Sequence, residues 1–160
     1  MRRAAALASL VLTFAPLAAA AQGPSQPIPG DGGWTLYTVP DGGCYARLAG
    51  RDVDTMVMVN RDAKPVIAIG RPDWNFSPLP ISVELTIDMD PPHKLSASPV
   101  ANIMLVVIES DLRDAVLNAK SMTWGLPNGS FTAPVAGLGK AFKAVVPCGL
   151  AAAKAVPPPS

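Results

Sequence analysis

The sequence predicts a mainly β, α+β domain: an antiparallel, sandwich-like sheet with two short helices in its C-terminal half and one long-range disulfide. Three observations carry this. Residues 81–89 alternate strictly, with Ile81, Val83, Leu85, Ile87 and Met89 separated by Ser82, Glu84, Thr86 and Asp88, the period of two that lines one face of a strand. Further β-branched runs are cut apart by Gly, Pro and Asn turn signals. Helical spacing of apolar residues enters only after residue 110.

Taken in order, residues 34–39 form a short aromatic and β-branched strand. Pro40-Asp41-Gly42-Gly43 turns the chain, proline presetting one dihedral and the glycines admitting positive φ. Residues 44–49 return as the second strand of a hairpin. Residues 55–60 and 66–70 flank a second turn at residues 61–65, and both strands are apolar on both faces, as expected inside a layered structure. The alternating strand at 81–89 follows, placing Met89 on its apolar face, and then a proline-rich loop, Met89-Asp90-Pro91-Pro92-His93-Lys94. The continuous apolar run at 101–108 reads as a central strand because of its length and β-branching. Ser110 or Asp111 caps a helix running to about Ala119, with Leu112, Ala115, Val116 and Ala119 as its stripe and Asp111 and Asp114 near its positive end. Residues 121–124 and 130–134 are strands about the turn Pro127-Asn128-Gly129. A second helix spans residues 138–146, with Leu138, Ala141, Phe142 and Val145 at helical spacing; Pro147 is expected to stop it, so that Cys148 follows the last turn.

The ends predict export. Met1-Arg2-Arg3 precedes an apolar run, and Ala19 and Ala21 satisfy a small-residue cleavage rule that gives a mature start at Gln22. The run is shorter than the roughly 20 residues a spanning helix needs. The expected organisation is a signal peptide at 1–21, a Pro-rich leader at 22–30, one β-rich domain at 31–150 and a disordered Pro-rich tail at 151–160. Cleavage removes Arg2 and Arg3 from the 13 basic residues, leaving 11 against 12 acidic. This near-neutral balance without a basic cluster argues against nucleic acid as a partner and against electrostatic membrane attachment. No second apolar stretch is suited to span a bilayer after cleavage. Hydrophobic residues make up 49% of the chain, which excludes a chain disordered throughout.

Cys44 and Cys148 are the only cysteines. In an exported chain an even pair implies a disulfide, and two cysteines allow one intramolecular connectivity. The absence of a C-x-x-C spacing argues against a redox pair, and one histidine with two distant cysteines makes no zinc set.

Candidate chemistry is sparse. His93, the single histidine, lies in a proline-rich loop near Asp88 and Asp90 and reads first as a solvated loop histidine; its functional reading is the general base of a small hydrolase, for which no serine occupies a G-x-S-x-G elbow. Asp52 and Asp54, like Asp88 and Asp90, are acidic residues two apart at strand ends, more in keeping with turns than with a calcium loop. No glycine-rich phosphate motif is present, so no cofactor is expected. Asn75-Phe76-Ser77 and Asn128-Gly129-Ser130 match the glycosylation sequon, the second being also a turn. Trp74 and Phe76, between Pro72 and Pro78, offer either a contact surface or a plug under the sheet.

The alternating strand Ile81-Ser82-Val83-Glu84-Leu85-Thr86-Ile87-Asp88 behind a proline-containing loop, the apolar strand, helix and strand after it, and the ending Pro134-Val135-Ala136-Gly137-Leu138-Gly139-Lys140-Ala141-Phe142 resemble the invasion-associated locus B family of exported bacterial proteins. The resemblance covers about half of the mature chain. That family carries a cysteine pair in mid-domain; here none lies between Cys44 and Cys148. The resemblance implies an exported, mainly β, non-enzymatic protein of the periplasm or envelope of a Gram-negative bacterium. The functional expectation is therefore a periplasmic or secreted binding or envelope-accessory protein whose partner is a protein or envelope component, with contact through Trp74 and Phe76. The alternative is a small exported hydrolase using His93 with a nearby carboxylate.

Overall fold

Glycine, proline and asparagine cut the β-branched runs of this chain into short strands. A computed structural model describes residues 25–29, 32–39 and 43–155, and within them ten strands and two helices form. The strands are β1 (Ser25–Pro27), β2 (Thr35–Thr38), β3 (Cys44–Leu48), β4 (Asp54–Val59), β5 (Pro65–Gly70), β6 (Ile81–Ile87), β7 (His93–Val100), β8 (Ile103–Val107), β9 (Met122–Leu126) and β10 (Gly129–Ala133); helix α1 is Ser110–Asn118 and α2 is Leu138–Ala155. Every pairing is antiparallel, in the order β1-β2-β3-β4-β5-β8-β7-β6-β9-β10. The mainly β fold with late helices is thus as the sequence predicts.

Strand β7 turns the corner. Its first part pairs with β6, from Leu85↔His93 to Ile81↔Ala97, and its last three residues pair with β8, from Ser98↔Leu105 to Val100↔Ile103. A strand that changes partner in this way divides a sheet into two halves that face each other. The enclosed faces supply one continuous core: Ala46, Val57, Ile67, Met104 and Val106 from one half, and Val83, Leu85, Ile87, Met122 and Trp124 from the other. Helix α2 packs on the enclosed side of β2, β3 and β4, with Leu138, Ala141, Phe142 and Val145 buried as their spacing requires.

The disulfide joins Cys44, at the start of β3, to Cys148 of α2, with Cα atoms 5.9 Å apart. The chain entry is fastened nearby. The indole N–H of Trp34 donates to the carbonyl of Ala136 at 2.6 Å. Gly32, at φ +125°, sits so close that a Cβ there would lie 2.2 Å from the same oxygen, a site open only to glycine.

Several expectations are corrected. The helix does not stop at Pro147 but continues to Ala155, so Cys148 lies inside it. Proline there forfeits one helical hydrogen bond and crowds the preceding turn. The following turn is held from outside the helix by the disulfide and by Gly149, buried against Val59 of β4. Residues 151–155 of the expected tail belong to this helix, and β1 lies within the expected leader, pairing Gln26 with Leu36; Pro27 is tolerated because β1 is an edge strand. The first helix is capped at Glu109, not Ser110 or Asp111, and makes no side-chain cap bond; the Glu109 carboxylate pairs with Lys64 instead. His93 opens strand β7 rather than lying in a loop. The expected signal peptide, residues 40–42 of the first turn and residues 156–160 of the tail lie outside the described residues.

Met89 is also corrected: it is 98% exposed. Asp88 takes φ +51° and ends the alternation after Ile87. Its carboxylate accepts the backbone N–H groups of Ser121 at 2.8 Å and Lys120 at 2.9 Å, tying the β6–β7 turn to the entry of β9. These donors, Ser121 first, hold its pKa below the ordinary 3.8. The stabilisation is complete above the unfolded value and disappears as pH falls through the lower folded one. Asp88→Asn should therefore lower the thermal midpoint at pH 7, and the gap to the parent should narrow below about pH 4. Melting curves across that range check it; a gap independent of pH contradicts it.

Candidate functional site

The same pairing that buries one face of the larger half-sheet sets an unusual row of side chains on its other face. Along β3, β4, β5 and β8, residues alternate inward and outward. The outward set is aligned by register: Arg47↔Met56, Met56↔Ala68 and Ala68↔Leu105 form one row, and Val66↔Val107 with Met58↔Val66 forms the next. Tyr37 and Tyr45 extend the second row as a stacked pair, ring centroids 5.1 Å apart and planes within 13°. The face an antiparallel sheet turns to water is ordinarily polar; this one is apolar and aromatic. Met56, Met58, Ile103 and Leu105 are half-buried, while Val100 and Val107 are 57% and 41% exposed. Both helices lie on the opposite, enclosed side, where Phe142, Val145 and Val116 join the core.

Charges at this face are neutralised locally. The Arg47 guanidinium donates to the Asp54 carboxylate at 2.5 and 3.1 Å, and this hydrogen bond raises the Arg47 pKa. Burial, then the neighbouring Tyr37, push the Tyr45 phenol upward, so it stays protonated at neutral pH. A shallow depression of about 250 Å³ lies between Tyr45, Met56, Gly70, Pro72 and Ile103.

At the corner of the face stands the loop that leaves β5. Arg71 forms a two-pronged pair with Asp73, at 2.9 and 3.0 Å, and its guanidinium lies 5.5 Å from the Trp74 ring. Trp74 meets Phe76 and Phe131 edge-on, with centroids at 4.9 and 5.2 Å. The loop is pinned by Arg71 N–H to Asn102 O, Phe76 N–H to Ala101 O and the Asn102 amide to Arg71 O. Trp74 and Phe76 are half-buried against the core edge, leaving part of each ring in solvent beside a cleft of about 140 Å³. Trp34 and Trp124 are buried and do not join them.

The other sequence candidates are not brought together. His93 stands opposite Leu85 and shares no side-chain hydrogen bond with Asp88 or Asp90 among the described residues, and Asp88 is committed to backbone donors. Asp54 is taken by Arg47, and Asp52 is exposed on the preceding loop. Among the described residues no group of three metal-ligating side chains forms, and no helix is long and apolar enough to cross a membrane. Sequence reasoning missed the outer sheet face. Its signal was the two-sided apolarity of residues 55–60. The expected burial on both faces holds for β5, which is buried at every position, whereas in β4 Met56 and Met58 are only half-buried on the outer face.

No protein-family model matches the chain, and no curated protein matches it. Among solved structures, the crystal structure of invasion associated protein b from Bartonella henselae is similar, with a TM-score of 0.55 and 13% identity, covering 78% of this chain and 97% of that one. The two share a fold.

Proposed function

We propose that this is an exported, non-enzymatic binding module of the periplasm or envelope, which holds a protein or envelope component against the apolar outer face of its sheet. The observation that carries the reading is that face: aromatic, methionine-bearing and aliphatic side chains at consecutive register positions, with Arg71 and Pro72 of the loop that carries Trp74 at its edge. Large exposed apolar patches mark interaction sites, and aromatic residues and methionine are enriched at interfaces. The fold shared with an invasion associated protein is compatible with an accessory role. Export with cleavage before Gln22, and common descent with the family the sequence resembles, belong to the same proposal.

Affinity capture from periplasmic extract tests it. The parent protein should retain a defined partner. Met56→Glu with Leu105→Glu, and separately Trp74→Ala with Phe76→Ala, should reduce capture about tenfold or more while circular dichroism shows a folded protein, because buried interface anchors contribute about 2 kcal/mol or more each. Equal capture by both folded variants would sink this surface.

A further inference from the structure

Among the described residues the sheet has two edge strands, and they are built differently. At one edge β1 is three residues long and carries Pro27, both devices that blunt an edge. At the other, β10 runs for five residues, Gly129-Ser130-Phe131-Thr132-Ala133, with no proline and no charge. The direction of its main-chain groups follows from the pairing. The Asp88 N–H donates to Ser121 O, and alternate residues of a strand direct their groups to the same side. Through the register Thr86↔Thr123 and Glu84↔Gly125, β9 therefore bonds β6 at Thr123 and Gly125, and bonds β10 at Met122, Trp124 and Leu126. The partners of these three, Ala133, Phe131 and Gly129, are thus satisfied. Ser130 and Thr132, both exposed, turn N–H and C=O away from β9, and among the described residues no strand pairs with them. Two depressions flank the strand. One, of about 140 Å³, adjoins Phe131 and Trp74; the other, of about 340 Å³, adjoins Ala133, Val53 and Pro134, together with Arg51 and Asp52.

We infer that this edge binds an extended segment of another polypeptide, which adds antiparallel to β10 with an aromatic side chain opposite Ala133 and, two residues on, an aliphatic one opposite Phe131. Two N–H and C=O pairs about 7 Å apart are matched by the main chain of a strand. This is the chemistry by which peptides extend sheets, hydrogen bonds giving affinity and pockets for alternate side chains giving specificity. Phe131 and Ala133 are two residues apart, so both depressions meet the same face of the incoming strand. The larger takes the aromatic ring, and the smaller takes the aliphatic group against Phe131 and Trp74. A second copy of this chain is a poorer occupant. Two five-residue edges meet over about 17 Å, a strip well short of the roughly 1,200 Å² of a stable interface. When Ser130 of each copy pairs with Thr132 of the other, only Gly129 falls opposite Ala133. The edge does not involve the outer face of the larger half-sheet.

Titration of the full mature protein with the capped peptide acetyl-Thr-Phe-Thr-Val-Thr-amide, followed by amide hydrogen exchange and backbone shifts, tests the inference. In the free protein the Ser130 and Thr132 amides should exchange fast. Saturating peptide should protect both, with shifts centred on β10. N-methylation of the third and fifth peptide residues, whose N–H groups face Thr132 and Ser130, should weaken binding about tenfold or more. N-methylation of the phenylalanine and valine, whose N–H groups point away, should have a far smaller effect. Thr132→Pro removes only an outward donor, a change that an edge strand accepts, and should abolish binding, while Thr132→Val should retain it. Met56→Glu with Leu105→Glu should leave peptide binding unchanged, so this edge and the partner surface can fail separately. Absence of saturable binding, equal affinity of the two methylated peptides, or full binding by folded Thr132→Pro would each overturn it. So would Ser130 and Thr132 amides already protected in the free protein, whether in a monomer or in a concentration-dependent dimer.

Discussion

Replacing both Cys44 and Cys148 with alanine should lower the unfolding free energy by about 4 kcal/mol, the largest effect expected of any single covalent change. The bond spans 104 residues, and closing a loop of roughly 100 residues restricts the unfolded chain by about 4.7 kcal/mol in the entropy model, an upper figure. Its location adds a second, native-state contribution. Cys148 follows Pro147, where the helix lacks a backbone donor, so the bond holds the turn that proline weakens. Without it, the end of α2 beyond Val146 should fray first. A loss of this size corresponds to a fall of roughly 15 °C in thermal midpoint for a domain of this length. Unfolding curves of the double variant, and of the parent with and without reductant, measure it. Amide exchange should show the earliest loss of protection after residue 146. Identical midpoints would mean that the bond contributes nothing to the fold.

The second large effect is expected in the core. Trp124 is fully buried, and in the sheet it lies between Leu85 and Phe131. Trp124→Ala should cost about 3–5 kcal/mol, the range for emptying a large aromatic site, a major share of the roughly 5–15 kcal/mol that keeps a domain folded. Trp124→Phe should cost far less. The indole N–H finds no hydrogen-bond partner among the described residues, and removing a buried, unpaired donor relieves about 1–3 kcal/mol that offsets part of the lost packing. Denaturant titrations of the two variants separate the contributions; equal losses would contradict the account of this site.

Much of the fold was legible because periodicity reports burial directly. The alternation at 81–87, the apolar run within 101–108 and the Leu138, Ala141, Phe142, Val145 stripe all became elements of the expected type. The failures share a cause: local signals yielded to partners distant in sequence. Strand β7 went unread because its inward positions include the small Ala97 and a buried Pro99, which carry little hydrophobic signal, yet it pairs with both β6 and β8. Pro147 reads as a helix stop, but contacts to β3 and β4 override it. Met89 continues a perfect alternation, and only the left-handed turn at Asp88 turns it into solvent. The Trp74–Phe76 pair was visible as a candidate, whereas its contact with Phe131 and its packing against the core edge depend on long-range pairing. Two-sided apolarity in β4 was legible as well, but sequence alone does not tell a strand covered on both faces from one that presents an apolar face to a partner.

Methionine oxidation, mapped by mass spectrometry with and without a captured partner, tests the proposed binding face most directly because the chain carries its own controls. Met89 is 98% exposed in the turn between β6 and β7, and Met104 and Met122 are fully buried; Met56 and Met58 lie on the face itself, half-buried. In the free protein Met89 should oxidise fastest, Met56 and Met58 at intermediate rates, and Met104 and Met122 scarcely at all. In the complex, Met56 and Met58 should become protected while Met89 reacts as before. Met56 and Met58 that oxidise at the same rate in free and bound protein would contradict the assignment of the outer sheet face as the partner surface.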